Sequence, residues 1–285
     1  MPEETTRSFQ IGDIQCIVVN DGTFSYPASW FFSNVPEERL EGELRLHGLQ
    51  PDQVLSPYAC LLIKAGNHKV LVDTGAANLA PTTGELLPRL QTEGLSPADI
   101  DTVVLTHGHP DHIGGTVDGE GKPAFPNARY VMWKDEWNFW TAEKIDLAGM
   151  NVPGEIKALL LDSARRALPP IKPQIDLLER ETEIVPGVHA VSAPGHTPGH
   201  MALIISSGRS QLLVLADAVL HPMHLEHPDW QTVFDLAQDR AGETRRQLLD
   251  RAASDQAKVM AYHFPFPGLG QVVVRGERAW RWEPA

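Results

Sequence analysis

The sequence predicts an α/β protein of the α+β kind, with two β-sheets packed face to face and helices outside. Two observations carry this expectation. Apolar runs of strand length come in hairpins, then a helix, then a further strand, and that order occurs twice along the chain. No stretch reads as a linker, so residues 1–285 are expected to form one domain, with a helical insert at about 133–180.

In chain order, Phe9 to Asn20 has strand character, and Asn20-Asp21-Gly22 reads as a turn. Phe24 to Pro57 is interrupted by aromatic residues and prolines, with Tyr26, Trp30, Phe31 and Phe32 near its start and a short helix expected within Glu37 to Leu49. Tyr58 to Ala65 and Lys69 to Asp73 form a hairpin across Gly66-Asn67. Gly84 to Glu93 reads as a helix stopped by Gly94, and Ser96-Pro97-Ala98-Asp99 as a capped helical turn. Asp101 to Leu105 and Ala128 to Met132 are strands, and Ile113-Gly114-Gly115 is expected to open a helix. Lys134 to about Leu168 is the least regular part, with an apolar helix around Ile156 to Leu168 that ends at Pro169-Pro170. Trp133, Trp137, Phe139 and Trp140 in this insert either wall a site or fill a core. Strands follow near Glu183 to Val185, Val188 to Ser192, Met201 to Ser206 and Gln211 to Asp217. A helix from about Ala241 to Ser254, a strand Lys258 to Tyr262 and a hairpin turning at Gly276-Glu277 complete the pattern.

Composition narrows the function classes. The net charge is 24 − 37 = −13, which disfavours nucleic acid or an anionic membrane as a partner. Cys16 and Cys60 lie in apolar runs and read as small core residues. The beginning of the sequence is polar and acidic, and no apolar run reaches the roughly 18 residues that span a bilayer. A cytoplasmic protein is expected.

The chemistry is concentrated in Thr106-His107-Gly108-His109-Pro110-Asp111-His112-Ile113-Gly114-Gly115, directly after a strand. Ligands at i, i+2, i+4 and i+5 cannot converge from a regular helix or strand, but a loop broken by Gly and Pro can turn them to one point. Neutral imidazole and carboxylate are ligands for zinc, manganese, iron and cobalt alike.

His-x-His-x-Asp-His after a strand resembles the signature of the metallo-β-lactamase superfamily. Further pieces stand in that family's order: His196 in Pro194-Gly195-His196-Thr197-Pro198-Gly199-His200, Asp217 after the run from Leu212, and His263 after Val259 to Tyr262. The resemblance implies the metallo-β-lactamase fold, a four-layer αβ/βα sandwich with its site at one edge between the sheets. It implies two divalent metal ions, zinc first among the candidates. His107, His109 and His196 would hold one, Asp111, His112 and His263 the other, and Asp217 would bridge them. A hydroxide shared by the metals would be the nucleophile, with Asp111 orienting it and Asp217 as the second catalytic carboxylate. Asp73, in Val72-Asp73-Thr74-Gly75, would stand behind the ligands and orient one imidazole. His200 is expected to be structural.

Within the superfamily, the lactonase and methyl-parathion-hydrolase-like branch is the nearest match. It implies a hydrolase that opens lactones or cleaves aryl esters, with phosphotriesterase side activity. The stretch Ala218 to His224 lacks the substrate-contacting Tyr of homoserine-lactone enzymes. This favours an apolar, aromatic-lined pocket for a neutral lactone, ester or phosphotriester. Trp30, Phe31, Trp137, Trp140, His221 and His224 are the candidate pocket residues, and exposed aromatics near the N-terminus would permit a homodimer. The alternatives are a mononuclear non-haem iron dioxygenase acting on glutathione persulfide and a glyoxalase II-like thioesterase.

Overall fold

The computed structural model describes residues 4–276 and 279–285. Its first sheet takes seven strands in sequence order: β1 (Thr6–Ile11), β2 (Ile14–Tyr26), β3 (Val54–Ala65), β4 (His68–Val72), β5 (Thr102–Val104), β6 (Arg129–Trp133) and β7 (Ile175–Leu178). The second takes β8 (Thr182–Val185), β9 (Val188–Ser192), β10 (Met201–Ser207), β11 (Ser210–Val214), β12 (Lys258–Met260), β13 (Leu269–Val274) and β14 (Trp280–Pro284), again in order. The first sheet is antiparallel from β1 to β4 and parallel from β4 to β7, whereas in the second β11 and β12 pair parallel between antiparallel neighbours. Val70, Leu71 and Val72 pair with Thr102, Val103 and Val104 in the first, and Leu212, Leu213 and Val214 with Lys258, Val259 and Met260 in the second.

The helices are α1 (Ala28–Phe31), α2 (Glu37–Leu46), α3 (Leu86–Thr92), α4 (Pro110–Ile113), α5 (Lys134–Trp140), α6 (Gly154–Ile171), α7 (Met223–Glu226) and α8 (Gln238–Ser254). The apolar runs follow from the layering. A strand buried on both faces needs an apolar residue at every position, because successive side chains point to opposite sides. In β2, Cys16 and Val18 enter the core between the sheets, while Ile17 and Val19 enter the core beneath the helices of the first half. In β3, Leu61 and Ile63 take the inner face, and Cys60 and Leu62 the outer. Leu248, Leu249 and Ala252 of α8 cover the outer face of the second sheet. The result is the four-layer helix–sheet–sheet–helix arrangement of the metallo-β-lactamase fold. Cys16 and Cys60 are buried free thiols.

Several boundaries differ from the sequence reading. The first strand region is two strands, turning at Gly12-Asp13, and Asn20-Asp21-Gly22 is a bulge inside β2 rather than a turn. The polar bulge stays in the sheet because the buried Asp21 carboxylate accepts hydrogen bonds from the amides of Ala76 (2.8 Å), Leu86 (2.9 Å) and Gly84 (3.3 Å). Gly22 sits at φ +150°, and a Cβ there would come within 2.0 Å of the Thr82 carbonyl. The helix expected after Gly114-Gly115 begins earlier, at Pro110. Helix α6 runs through Pro169 and Pro170 to Ile171, and β7 follows where no strand was expected. Asp217 lies in a 3-10 turn beyond the end of β11. Of the final hairpin, β13 and β14 are present, while Glu277 at its turn and Arg278 lie outside the described residues.

Asp21→Ala would leave three amides, two of them buried, without this acceptor. It is expected to lower stability by about 2–3 kcal/mol in urea unfolding.

Candidate metal centre

The site forms where strands from both sheets end. Beyond β5 the chain runs extended through His107 and His109, and Pro110 then starts α4, whose first turn carries Asp111 and His112. Gly108 lets this loop lie against the indole of Trp140, since a Cβ there would come within 2.3 Å of the ring. His196 follows β9, Asp217 follows β11 and His263 follows β12. Asp73 follows β4 at φ +61°.

The ligand atoms of His107, His109, His196 and Asp217 lie within 4.8 Å of one another, as do those of Asp111, His112 and His263. Asp217 touches both groups. Its Oδ2 is 3.4 Å from His196 Nε2 and 3.2 Å from His263 Nε2, and its Oδ1 is 3.2 Å from His112 Nε2. Asp111 Oδ2 lies 3.4 Å from His263 Nε2.

Each of four histidines has Nδ1 beside an acceptor, which turns Nε2 toward the centre. His112 Nδ1 donates to Asp73 Oδ2 (2.7 Å), and His196 Nδ1 to Asp235 Oδ1 (2.8 Å). His263 Nδ1 lies 2.8 Å from Ser56 Oγ and 3.2 Å from the Pro57 carbonyl. His107 Nδ1 meets Thr106 Oγ1 at 3.1 Å, and that hydroxyl donates onward to Asp73 at 2.9 Å. His109 is reversed, with Nδ1 2.9 Å from His196 Nε2.

Electrostatics follow from burial. Desolvation holds the His107 and His109 imidazoles well below the ordinary range, with neighbouring imidazoles adding to the effect. Burial also opposes protonation of His112, but the carboxylates of Asp217, Asp73 and Asp111 outweigh it and hold His112 well above the ordinary value. Burial would raise Asp217, yet His263, His112 and His107 keep it well below the usual carboxylate range. His107 Nε2, His112 Nε2 and Asp217 Oδ1 are buried without a hydrogen-bond partner. Buried polar atoms left unmatched are costly. Their convergence, with five imidazoles and two carboxylates as the donor set, fits two divalent cations.

The family model for the metallo-β-lactamase superfamily matches residues 54–263. The chain belongs to the metallo-β-lactamase superfamily. An N-acyl homoserine lactonase of Bacillus cereus is 27% identical over 188 residues, covering 59% of this chain and 66% of that protein. N-acyl homoserine lactonase AiiB of Agrobacterium fabrum is 30% identical over 184 residues, covering 57% and 63%. The matched stretch thus spans just under two thirds of these curated relatives. Among solved structures, AidC, described as a dizinc quorum-quenching lactonase in complex with a product, superposes with a TM-score of 0.89 at 28% identity, covering 98% of this chain and 97% of that one. The hydrolase AbOPH of the β-lactamase superfamily superposes with a TM-score of 0.89 at 26% identity, covering 100% and 99%.

In this superfamily member a cavity of about 210 Å³ opens onto His109, Asp111, His196, Asp217 and His263. Trp30 and Phe31 line it, together with Tyr26, Tyr58, Leu220 and Phe234. Ile156, Leu159 and Leu160 of α6 also line it. The Trp residues of the insert do not form its wall. Trp137 packs into the first-half core, and Trp140 is buried beside His109 with its Nε1 donating to Glu136 Oε1 (2.7 Å). His221 and His224 are also buried away from the cavity. His224 Nε2 meets the Phe31 carbonyl at 3.1 Å, and His221 Nδ1 accepts from the Met223 amide. His200 stands outside both ligand groups, accepts the Asp217 amide at 3.1 Å and is pushed down to about 3 by burial.

Sequence reasoning missed four supporting residues. Asp235 orients His196 and lies 3.6 Å from the buried guanidinium of Arg245. Arg245 in turn donates to the carbonyls of Ala218, Pro228 and Trp230, fixing the chain that leaves Asp217. Ser56 backs His263. Glu136 is fully buried and joins the two ligand loops, accepting the Gly108 amide on Oε1 and the Gly199 amide on Oε2, each at 2.8 Å. None of the four carries a local motif. Each is recognised by what lies opposite it in space.

Asp73→Asn and Asp235→Asn are expected to weaken metal binding ten- to a hundredfold, read by competition with a chromogenic chelator. In the metal-free protein the carboxylates of Asp217, Asp73 and Asp111 favour the protonated form of His112 over its neutral form. Metal uptake at pH 7 is therefore expected to release protons, and affinity to rise with pH, both measurable by calorimetry in buffers of different ionisation enthalpy.

Proposed function

We propose that this protein is a dinuclear metal-dependent hydrolase that opens lactones, N-acyl homoserine lactones among them. The observation that carries this reading is the position of the two ligand groups, which adjoin one apolar cavity. The lactonase relatives and the dizinc neighbour support it. His107, His109 and His196 would hold one cation, Asp111, His112 and His263 the other, and Asp217 both, with zinc the first candidate. Two such cations would supply Lewis acidity for a carbonyl oxygen and lower the pKa of a water toward roughly 7.

The remaining roles belong to the chain. Asp111, on the cavity wall, orients the attacking water, receives its proton as the new C–O bond forms and passes it to the alkoxide oxygen released when the ring C–O bond breaks. Asp73, Asp235, Thr106 and Ser56 fix the imidazole tautomers, so the donors need no reorganisation during turnover. Phe31, Leu160, Leu220 and Phe234 exclude water and receive the hydrocarbon part of a neutral substrate. The same wall suits aryl esters and, as a side reaction, phosphotriesters. A second cluster containing Asp111 favours two metals over the one-iron oxygenase alternative.

Purified protein is expected to bind two metal ions per chain and to hydrolyse N-acyl homoserine lactones in a pH-stat assay. Asp217→Asn is expected to reduce kcat by about a hundredfold or more. Metal-loaded protein that turned over no member of a lactone, aryl ester and phosphotriester panel would reject the proposal.

A further inference from the structure

The cavity wall holds a polar group that the ligand set does not use. Tyr26 on β2 and Tyr58 on β3 both line the cavity, and their hydroxyl oxygens lie 2.6 Å apart. Two hydroxyls carry two hydrogens, and this contact uses one. Among the described residues neither oxygen has another hydrogen-bond partner, so the second hydrogen has no acceptor in the protein. The surrounding wall is largely hydrocarbon, with Phe31, Leu160, Leu220 and Phe234 close by. A buried donor without an acceptor is costly, so such a pair in an apolar wall is unfavourable unless something entering the cavity accepts from it.

The rings hold the hydroxyls in place. Tyr58 is 1% exposed, stacks on Tyr262 at 6.2 Å and meets the edge of His263 at 5.6 Å. Tyr26 packs edge-on against Phe31 (5.5 Å) and Phe234 (6.0 Å), and also against Phe24 (4.9 Å), an exposed residue of the cavity rim. Tyr58 therefore stands on the ligand side of the pair and Tyr26 on the outer side.

We propose that Tyr58 donates a hydrogen bond to a carbonyl oxygen of the bound ester or lactone, while Tyr26 donates to Tyr58 and thereby aims the Tyr58 proton into the cavity. This inference rests on the lactonase reading above. A chain of two hydroxyls is polarised in the direction of donation, which strengthens the final bond. The pair thus selects for substrates with a carbonyl at that depth over hydrocarbons of equal size.

The test compares wild type, Tyr58→Phe, Tyr26→Phe and the double variant, each loaded with zinc. It measures kcat and KM on an N-acyl homoserine lactone, calorimetric affinity for the ring-opened N-acyl homoserine, zinc content and thermal stability. Tyr58→Phe is expected to lower kcat/KM and product affinity by up to about tenfold with zinc content unchanged. Tyr26→Phe should lose less, and the double variant should match Tyr58→Phe rather than multiply the two losses. Tyr58→Phe within twofold of wild type on both readouts, in an enzyme that does turn over the lactone, would overturn this inference alone. Losses that follow zinc content would also overturn it, since they mark a structural role. A wild type without lactone turnover would overturn both this inference and the lactonase reading.

Discussion

Gathering five imidazoles and two carboxylates in one buried space is the constraint that the rest of the structure serves. Left free, each imidazole could adopt either tautomer and the carboxylates would swing to whatever donor they found. The fold answers with a second layer of fixed acceptors. Asp73 takes the far nitrogen of His112, Asp235 that of His196, Ser56 and the Pro57 carbonyl that of His263, and Thr106 that of His107. Each acceptor converts an ambiguous ring into a directed lone pair. The arrangement tolerates burial because opposite charges face one another, Asp217 against His112 above all.

The sheet topology explains how distant residues arrive together. Each half of the chain turns from antiparallel to parallel pairing at one place, β4 beside β5 and β11 beside β12. Adjacent parallel strands end on the same edge, so the loops that leave them share a neighbourhood. Asp73 and the His107–His112 loop leave one such pair, and Asp217 and His263 leave the other. With the sheets face to face, the two edges meet. The antiparallel hairpins are the scaffold, and the parallel pairs set the position of the site.

Legibility in the sequence followed the same division. The two-sheet layering was readable because strands buried on both faces need unbroken apolar runs, as in Cys16 to Val19 and Leu61 to Ile63. The His-x-His-x-Asp-His loop was readable because its residues are close in sequence as well as in space. Asn20-Asp21-Gly22 was misread as a turn, since its cause, the amides of Ala76, Gly84 and Leu86, lies more than fifty residues away. Trp137 and Trp140 were placed beside the cavity on aromatic content alone, yet a core and a pocket wall require the same residue types. Asp235, Glu136 and Arg245 left no trace in the sequence, because a carboxylate or guanidinium behind a ligand looks like any surface charge until its partners are known.

Glu136 ties the loop of His107 and His109 to the loop of His196 through one carboxylate, and the whole clamp is sealed beneath Trp140. The floor of the cavity is thereby braced from below, while Ile156, Leu159 and Leu160 reach it from α6 on the other side. Leu160 packs in the same core cluster as Trp140, so the wall that shapes the space above and the joint that holds the loops beneath lean on one shared support.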